Sequence, residues 1–282
     1  MTTTSRLGII VLCLFMLISC DVKDDKSNDD LQVGKCFVTD VDGTGNMCFR
    51  IIGDTAVEIY KNSPFDNSHE TIDGYKCIKY FGEIVIPETV KYANRVFTVT
   101  KIGDYTFFCS DVTSIIIPKT VVSIGESAFQ ACGKLKKITI PESVLSIGQY
   151  SFTGCTSIVS VGLPKNLGDI GEFAFKYCDD LLSITIPSSI DSLKEGVFHG
   201  CSSLNSVIIK EVVKYIGDSA YEECTNLTHI SIPTSVMGIG LDAFARCSML
   251  THVDILNPKL NICFKDVFSD CDKLIQDSVI FR

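Results

Sequence analysis

A motif of 23 residues repeats along most of the chain and constrains its fold more than any other feature. The copy at 133–155 reads GKLKKITIPESVLSIGQYSFTGC, and copies run end to end from residue 110 to residue 247. An irregular copy with one extra residue follows at 248–271. Self-similarity at a fixed period of roughly 20–50 residues is typical of solenoids, in which stacked repeats bury a face that one repeat cannot bury alone.

The columns of the repeat have separate physical roles. Ile138 and Ile140 are two residues apart in a short apolar run and are expected to point inward from a strand. Pro141 then ends the strand, and Gly148 permits a tight bend. The segment that follows contains Phe152 and is predicted to be a short helix or 3₁₀ turn. Phe152 and its equivalents in other copies are expected to fill the space between the strand layer and the opposite side.

Cysteine forms a further column at the end of each copy. The 23-residue series consists of Cys109, Cys132, Cys155, Cys178, Cys201, Cys224 and Cys247. The extra residue in the last copy brings Cys271 into this series and places Cys263 in the column of Ile147, the isoleucine before Gly148, which is expected to be buried. Parallel strands about 4.8 Å apart hold such side chains wider than a disulfide prefers. The pattern therefore favours a ladder of free, buried thiols, with a disulfide or metal array as the alternative.

The consensus LxxIxIPxxVxxIGxxAFxxC resembles the BspA-like leucine-rich repeat of bacterial surface proteins. The resemblance covers about residues 81–282, with Lys210 and Leu256 in place of the proline and Lys194 and Phe264 in place of the glycine. It implies an α/β leucine-rich-repeat solenoid with a concave parallel sheet and short helical or 3₁₀ convex segments. It also implies a role in binding, because such proteins are associated with matrix-protein binding and co-aggregation.

The first 32 residues contain no copy of the repeat. Residues 1–19 are predicted to be a signal peptide, with an apolar stretch at 7–17 that is too short to span a bilayer. The sequence LISC that ends at Cys20 resembles the lipobox of bacterial lipoproteins, which implies lipidation of Cys20. The alternative is an ordinary secretory signal with a chance cysteine. Residues 20–32 are rich in Asp and are expected to form a solvated tether.

The tether bears on where the protein resides. An acidic tract after the lipidated cysteine resembles a surface-export signal of gut and oral anaerobes, whereas Asp directly after it resembles an inner-membrane retention signal of enteric bacteria. Two clusters of Asp favour the first interpretation. We therefore expect a lipid-anchored protein exposed on the outer membrane, with a periplasm-facing lipoprotein as the alternative.

Both ends of the solenoid are expected to carry caps. Residues 33–80 predict a β-rich N-terminal cap, with a hairpin at Gly53-Asp54. Ala93-Asn94 predicts a second hairpin, inserted into the first repeat at the start of the 81–282 domain. The tail at 272–282 is expected to cap the other end.

Two features of the N-terminal region leave their chemistry open. The sequence DVDGTGN at 40–46 matches the start of a calcium loop, but Ile51 stands where a bidentate Glu is required, so a polar turn is expected. Cys36, Cys48 and Cys77 lie outside the cysteine series. Whether two of them form a disulfide cannot be determined from their spacing.

Composition and motifs exclude several functions. A net charge of −9 argues against nucleic acid, because phosphate binding needs a basic surface. The sequence contains no G-x-S-x-G, no H-E-x-x-H and no phosphate loop, so we expect neither an enzyme nor a cofactor. The leading hypothesis is a monomeric surface protein that binds a protein or glycoprotein of a host or neighbouring cell. The alternative is a structural or accessory envelope lipoprotein that assembles with another membrane component.

The candidate binding residues point outward from the concave sheet. The first outward column contains Ser114, Lys137, Ser160, Ser183, Ser206, His229 and His252. The second contains Ile116, Thr139, Gly162, Thr185, Ile208, Ser231 and Asp254. Neither column contains an aromatic residue, which favours an extended protein ligand over a sugar.

Three histidines are singled out by their positions in the repeat. His229, His252 and Asp254 are expected to form a triangle that either binds a divalent metal weakly or consists of ordinary surface side chains. His199 is expected to face solvent on a convex turn.

Overall fold

The computed structural model describes residues 36–41, 45–60 and 80–282, and these residues form a parallel β-solenoid. The strands are β1 (Cys36–Val41), β2 (Gly45–Ile51), β3 (Ala56–Ile59), β4 (Phe81–Val85), β5 (Thr89–Tyr92), β6 (Arg95–Ile102), β7 (Asp111–Ile116), β8 (Ser123–Ile124), β9 (Lys137–Thr139), β10 (Ser146–Ile147), β11 (Asp169–Ile170), β12 (Ser183–Ile186), β13 (Ser192–Leu193), β14 (Ser206–Ile209), β15 (Tyr215–Ile216), β16 (His229–Ile232), β17 (Gly238–Ile239), β18 (His252–Ile255) and β19 (Val279–Phe281). The described helical segments are α1 (Phe264–Val267) and a 3₁₀ turn (Gln276–Ser278).

The repeats build two parallel sheets. The first sheet contains the I-x-I strands, paired as β4-β7-β9, β12-β14 and β16-β18-β19. The second sheet was not predicted; it contains the short strands before the glycine column, paired as β6-β8-β10-β11 and β13-β15-β17. Paired residues in the regular copies are 23 positions apart, as Ser183 and Ser206 are in the first sheet. This register confirms the predicted leucine-rich-repeat solenoid.

The strands at each end pair onto the neighbouring repeats. β2 and β3 are antiparallel on either side of Gly53-Asp54, and β5 and β6 are antiparallel around Ala93 and Asn94, whose φ values are 46° and 60°. Such values are typical of a two-residue type I′ turn. β3 pairs in parallel with β6, so the N-terminal strands extend the second sheet, and β19 pairs in parallel with β18. Both predicted hairpins are therefore present.

Several predicted features lie outside the described residues. These are the signal peptide, Cys20, the tether, Cys77 and the middle of the DVDGTGN turn. The side chains of Cys36 and Cys48 are likewise outside the description. None of the described helices is both long enough and apolar enough to cross a membrane.

The core consists of columns that run along the solenoid axis. Ile138 and Ile140 are buried, as predicted for the inward face of a strand. The aromatic column is also buried, and each ring stacks on the next with centroids 5.1–5.6 Å apart. Its members are Phe107, Phe129, Phe152, Phe175, Phe198, Tyr221, Phe244 and Phe268. Stacking adds to the stabilisation that burial of each ring provides.

The convex segments of the regular copies are turns, so the short helical or 3₁₀ segments expected there do not form. Two positions in each copy adopt left-handed backbone, as Tyr150 and Gly154 do at φ 55° and 72°. A left-handed residue interrupts a right-handed helical turn. The amides instead bond the next copy: the N–H of Phe129 donates to the carbonyl of Ser151 at 2.7 Å. The only described α-helix, α1, lies in the irregular last copy.

The cysteine column forms a ladder of free thiols, as predicted, but with different membership at its ends. Each buried thiol donates to the carbonyl of an aromatic residue one copy earlier, at 3.0–3.4 Å. The ladder contains Cys132, Cys155, Cys178, Cys201, Cys224, Cys247 and Cys271. Cys109 is exposed, because the first copy is one residue short and Ser110 takes the buried position. Cys263 is also exposed and not in the isoleucine column.

The glycine column is required by close approach between copies. A Cβ atom on Gly148 would lie 2.7 Å from the backbone nitrogen of Glu126, and one on Gly171 would lie 2.3 Å from that of Gln149. Real Cβ atoms do not approach backbone so closely, so a larger residue would push the copies apart. The bend predicted for this column is therefore less important than the packing that glycine allows.

Candidate functional face

The first outward column lies on the first sheet as predicted. Strand pairing sets Ser114 beside Lys137, Ser183 beside Ser206 and His229 beside His252. All of these side chains are exposed except the half-buried Ser114. Paired strands are about 4.8 Å apart, so the column forms short rows of small polar and basic groups, one on each set of paired strands.

The second outward column is more varied. Ile116 and Ile208 are exposed large apolar residues, at 57% and 49% of their surface. Val85 continues the column into β4 and is 47% exposed. This column is therefore apolar at its N-terminal end, where Val85 and Ile116 lie, and again at Ile208 further along the sheet.

The first sheet is interrupted in the copy at 156–178. This copy contributes no strand to the sheet, and its Ser160 forms an isolated bridge with Ser183. Gly162 stands here in the second outward column, and a Cβ on it would meet no atom within 4 Å. The missing side chain and the loss of strand pairing open the surface at this point.

A cavity of about 350 Å³ occupies the opening. Its lining includes the hydroxyl residues Ser160, Ser183 and Thr185 and the two lysines Lys165 and Lys210, with no Asp or Glu. The sequence prediction included the hydroxyl residues but missed both lysines. Lys210 stands in the proline column, and that departure from the consensus is the signal that could have identified it.

His229, His252 and Asp254 come together at the C-terminal end of the first sheet. The imidazole centroids are 6.1 Å apart, and His229 Nε2 lies 3.7 Å from Asp254 Oδ2. The guanidinium of Arg282 is 3.1 Å from the other oxygen of Asp254, and its cation opposes the approach of a metal ion. Across the described parts of the chain, no three His, Cys, Asp or Glu side chains are arranged to hold a metal.

His199 is mostly enclosed, so the expectation that it faces solvent is wrong. Its side chain is 12% exposed, and Nδ1 lies 3.2 Å from Glu222 Oε2. Arg246 contacts both Glu222 and Glu223 from the next copy. Burial, followed by the nearby Lys176 charge, lowers the pKa of His199 below its ordinary value. The cluster ties three consecutive copies together on the turn side.

The class of the protein is defined by three features: stacked parallel strands, an inward I-x-I column and a continuous aromatic column. These are the features of a leucine-rich-repeat protein. A family model described as BspA type leucine rich repeat region matches six copies, over residues 79–205 and 169–280. Because these matches span well over half of the chain, the protein belongs to the BspA-type leucine-rich repeat family. Repeat proteins of this kind typically act as binding scaffolds and not as enzymes.

Solved structures of bacterial leucine-rich repeat proteins resemble the chain. One is a leucine rich cell surface protein from Faecalibacterium prausnitzii, with 29% identity, a TM-score of 0.63, and coverage of 77% of this chain and 54% of its own. The chain therefore spans about half the length of that neighbour. A Treponema pallidum leucine rich repeat protein has 23% identity and a TM-score of 0.58, covers 72% of this chain and 86% of its own, and shows the shared fold. No curated protein matches the chain significantly.

Proposed function

We propose that this protein is a lipid-anchored binding protein exposed on the bacterial outer membrane. In this proposal the outward face of the first sheet recognises a protein or glycoprotein of a host or neighbouring cell. The observation that carries the proposal is the set of exposed small polar and basic side chains along that sheet, from Lys137 to His252. Membership of the family and similarity to a cell surface protein support it.

The face suits an extended protein ligand. Exposed hydroxyls and Lys137 place hydrogen-bond donors along the row, where they can donate to the backbone carbonyls of an extended peptide laid across the strands. The exposed apolar positions Val85, Ile116 and Ile208 add surface that a partner could cover. Neither outward column supplies an aromatic ring for stacking on a sugar.

Binding is tested with the full chain, purified in detergent and presented to immobilised matrix proteins and mucin. We expect saturable binding that is lost when Ser183→Arg and Ser206→Arg are combined, because bulky charges there block the row. The matched control places arginine at two exposed positions that directly precede strands of the second sheet, Leu145 and Met237. Equal loss in both double variants, or no saturable binding to any of these proteins, would contradict the proposal and favour an envelope accessory role.

The anchor is tested separately in cells. Cys20→Ala should release the protein from membranes or leave its signal uncleaved, because the acylated sulfur would be absent. Cys13→Ala, a change within the same apolar stretch, is the control and should leave processing intact. Unchanged fractionation of Cys20→Ala would show that the protein is not a lipoprotein.

A further inference from the structure

The cavity at the interruption of the first sheet has a chemical character unlike the rest of the molecule. The chain carries a net charge of −9, yet the cavity wall contains two lysines and no carboxylate. Within the described residues, neither Lys165 nor Lys210 has an acidic side chain within ion-pair distance. Two cations without protein partners at one concave site are suited to binding an anion.

The neighbouring acids are directed to other groups. Glu142, which precedes Lys165 by one copy, accepts a hydrogen bond from the backbone N–H of Lys165 at 2.9 Å. Glu211, beside Lys210 in the chain, accepts a hydrogen bond from the hydroxyl of Thr234 at 2.8 Å. These contacts hold both carboxylates in defined positions, and neither residue lines the cavity.

The lining also determines which anion fits. Ser160 and Ser183 are bridged across the gap, and Thr185 lies in the second outward column next to Gly162. Hydroxyl donors beside ammonium groups match a carboxylate, which accepts several charge-assisted hydrogen bonds. The absence of an aromatic ring from the lining disfavours an acidic sugar, which usually stacks on one.

We propose that this cavity binds the carboxylate of an Asp or Glu side chain carried on an extended segment of the protein partner. Gly162 supplies the space, Lys165 and Lys210 supply the charge, and the serine and threonine hydroxyls orient the carboxylate. This site deepens the proposed binding function and rests on it, since the segment would lie along the outward face of the first sheet.

The test uses the full chain in detergent and a fluorescein-labelled peptide of four Ser-Asp repeats, with four Ser-Asn repeats as the neutral probe. Fluorescence anisotropy should show binding of the acidic peptide only, weakening as salt is raised. The double variant Lys165→Gln, Lys210→Gln should bind about tenfold more weakly or worse, because two charge-assisted contacts are lost.

Two further variants localise the effect. The control double variant Lys119→Gln, Lys214→Gln has the same net charge as Lys165→Gln, Lys210→Gln but changes exposed lysines that do not line the cavity. It should alter the affinity for the acidic peptide by less than about twofold. Gly162→Thr restores the side chain found at Thr139 and Thr185 and should reduce affinity by about tenfold by filling the space. Circular dichroism checks that each variant retains the parent's sheet content.

Three results would each overturn the site. The acidic and neutral peptides could bind equally well, or the two double lysine variants could lose equal affinity for the acidic peptide. Gly162→Thr could also bind the acidic peptide as tightly as the parent does. Binding of an oligogalacturonate that competes with the peptide and is stronger than it would instead identify the site as one for acidic sugars. If matrix proteins or mucin still bind saturably while the acidic peptide does not, the carboxylate site is wrong and the binding function stands.

Discussion

The turn side of the solenoid and the outward face of the first sheet differ most at the copy 156–178. On the turn side, Phe175 stacks between Phe152 and Phe198 with centroids 5.1 and 5.6 Å away, and the Cys178 thiol still donates to the Phe152 carbonyl. In the first sheet the same copy has no strand and retains only the bridge from Ser160. The buried columns therefore maintain the stacking of copies, while the outward face can lose its strand and form a cavity.

The largest expected effect comes from breaking the turn side. Phe152→Ala removes a fully buried ring with stacking partners on both sides, and should lower the free energy of unfolding by about 3–5 kcal/mol. Urea denaturation followed by circular dichroism measures the change. Leu145→Ala, at a side chain that is 52% exposed, is the control and should shift stability by less than about 0.5 kcal/mol. Similar losses in both variants would show that the aromatic column has no special role.

The second effect compares two glycines. Gly148→Ala places a Cβ 2.7 Å from backbone atoms of the preceding copy and should cost about 1–3 kcal/mol. Gly162→Ala meets no atom within 4 Å and should stabilise the protein by about 0.5 kcal/mol, because alanine restricts the unfolded chain. The same urea experiment measures both. A loss at Gly162 as large as that at Gly148 would refute the distinction between packed and open faces.

The sequence was sufficient to predict the columns that face inward. The 23-residue pattern gives the repeat period, the parallel direction of the strands and the burial of Ile138 and Phe152. It does so because a buried position requires the same type of residue in every copy. The burial of Ser110 was missed. The first copy is one residue short, so the buried position of the cysteine column falls on Ser110, although the interval between Cys109 and Cys132 still fits the repeat.

Two unpredicted features depend on conformation and on distant contacts. On the turn side, Tyr150 and Phe173 adopt φ near 55°, which their side chains disfavour, and their rings stack across neighbouring copies with centroids 5.2 Å apart. Gly196, in the same column, was the available signal for left-handed backbone. The pairing of Arg282 with Asp254 joins the chain terminus to the last I-x-I strand, and no local pattern predicts it.

The third prediction concerns pH and the thiol ladder. Burial raises the pKa of Cys155 and Cys224, so the neutral thiol is favoured in the folded protein. This contribution is fully present below the unfolded thiol pKa of about 8.5, and it is lost as pH rises because the unfolded state then releases protons that the folded state retains. Each such thiol should therefore reduce stability by about 1.4 kcal/mol per pH unit above that value.

Urea denaturation under reducing conditions at several pH values tests this dependence. Cys155→Ala should lower the slope by about 1.4 kcal/mol per pH unit, since one buried thiol is removed. The exposed Cys263 offers the control, and Cys263→Ala should leave the slope unchanged. A parent protein whose stability is independent of pH between 8.5 and 10 would be inconsistent with a buried, neutral ladder.

The smallest expected effect sharpens the comparison within the aromatic column itself. Tyr221 stacks between Phe198 and Phe244 with centroids 5.4 and 5.3 Å away, but its hydroxyl is buried without a hydrogen-bond partner among the residues that the structure describes. Burial raises its pKa well above the ordinary value, which reflects the same apolar surroundings. Tyr221→Phe removes the unsatisfied hydroxyl, keeps both ring contacts and should stabilise the protein by about 1 kcal/mol. Tyr150→Phe, at a half-buried ring on the surface of the turn side, is the control and should change stability by less than about 0.5 kcal/mol. A loss of stability in Tyr221→Phe would mean that the hydroxyl does have a partner, and that this position of the column is selected for hydrogen bonding as well as for stacking.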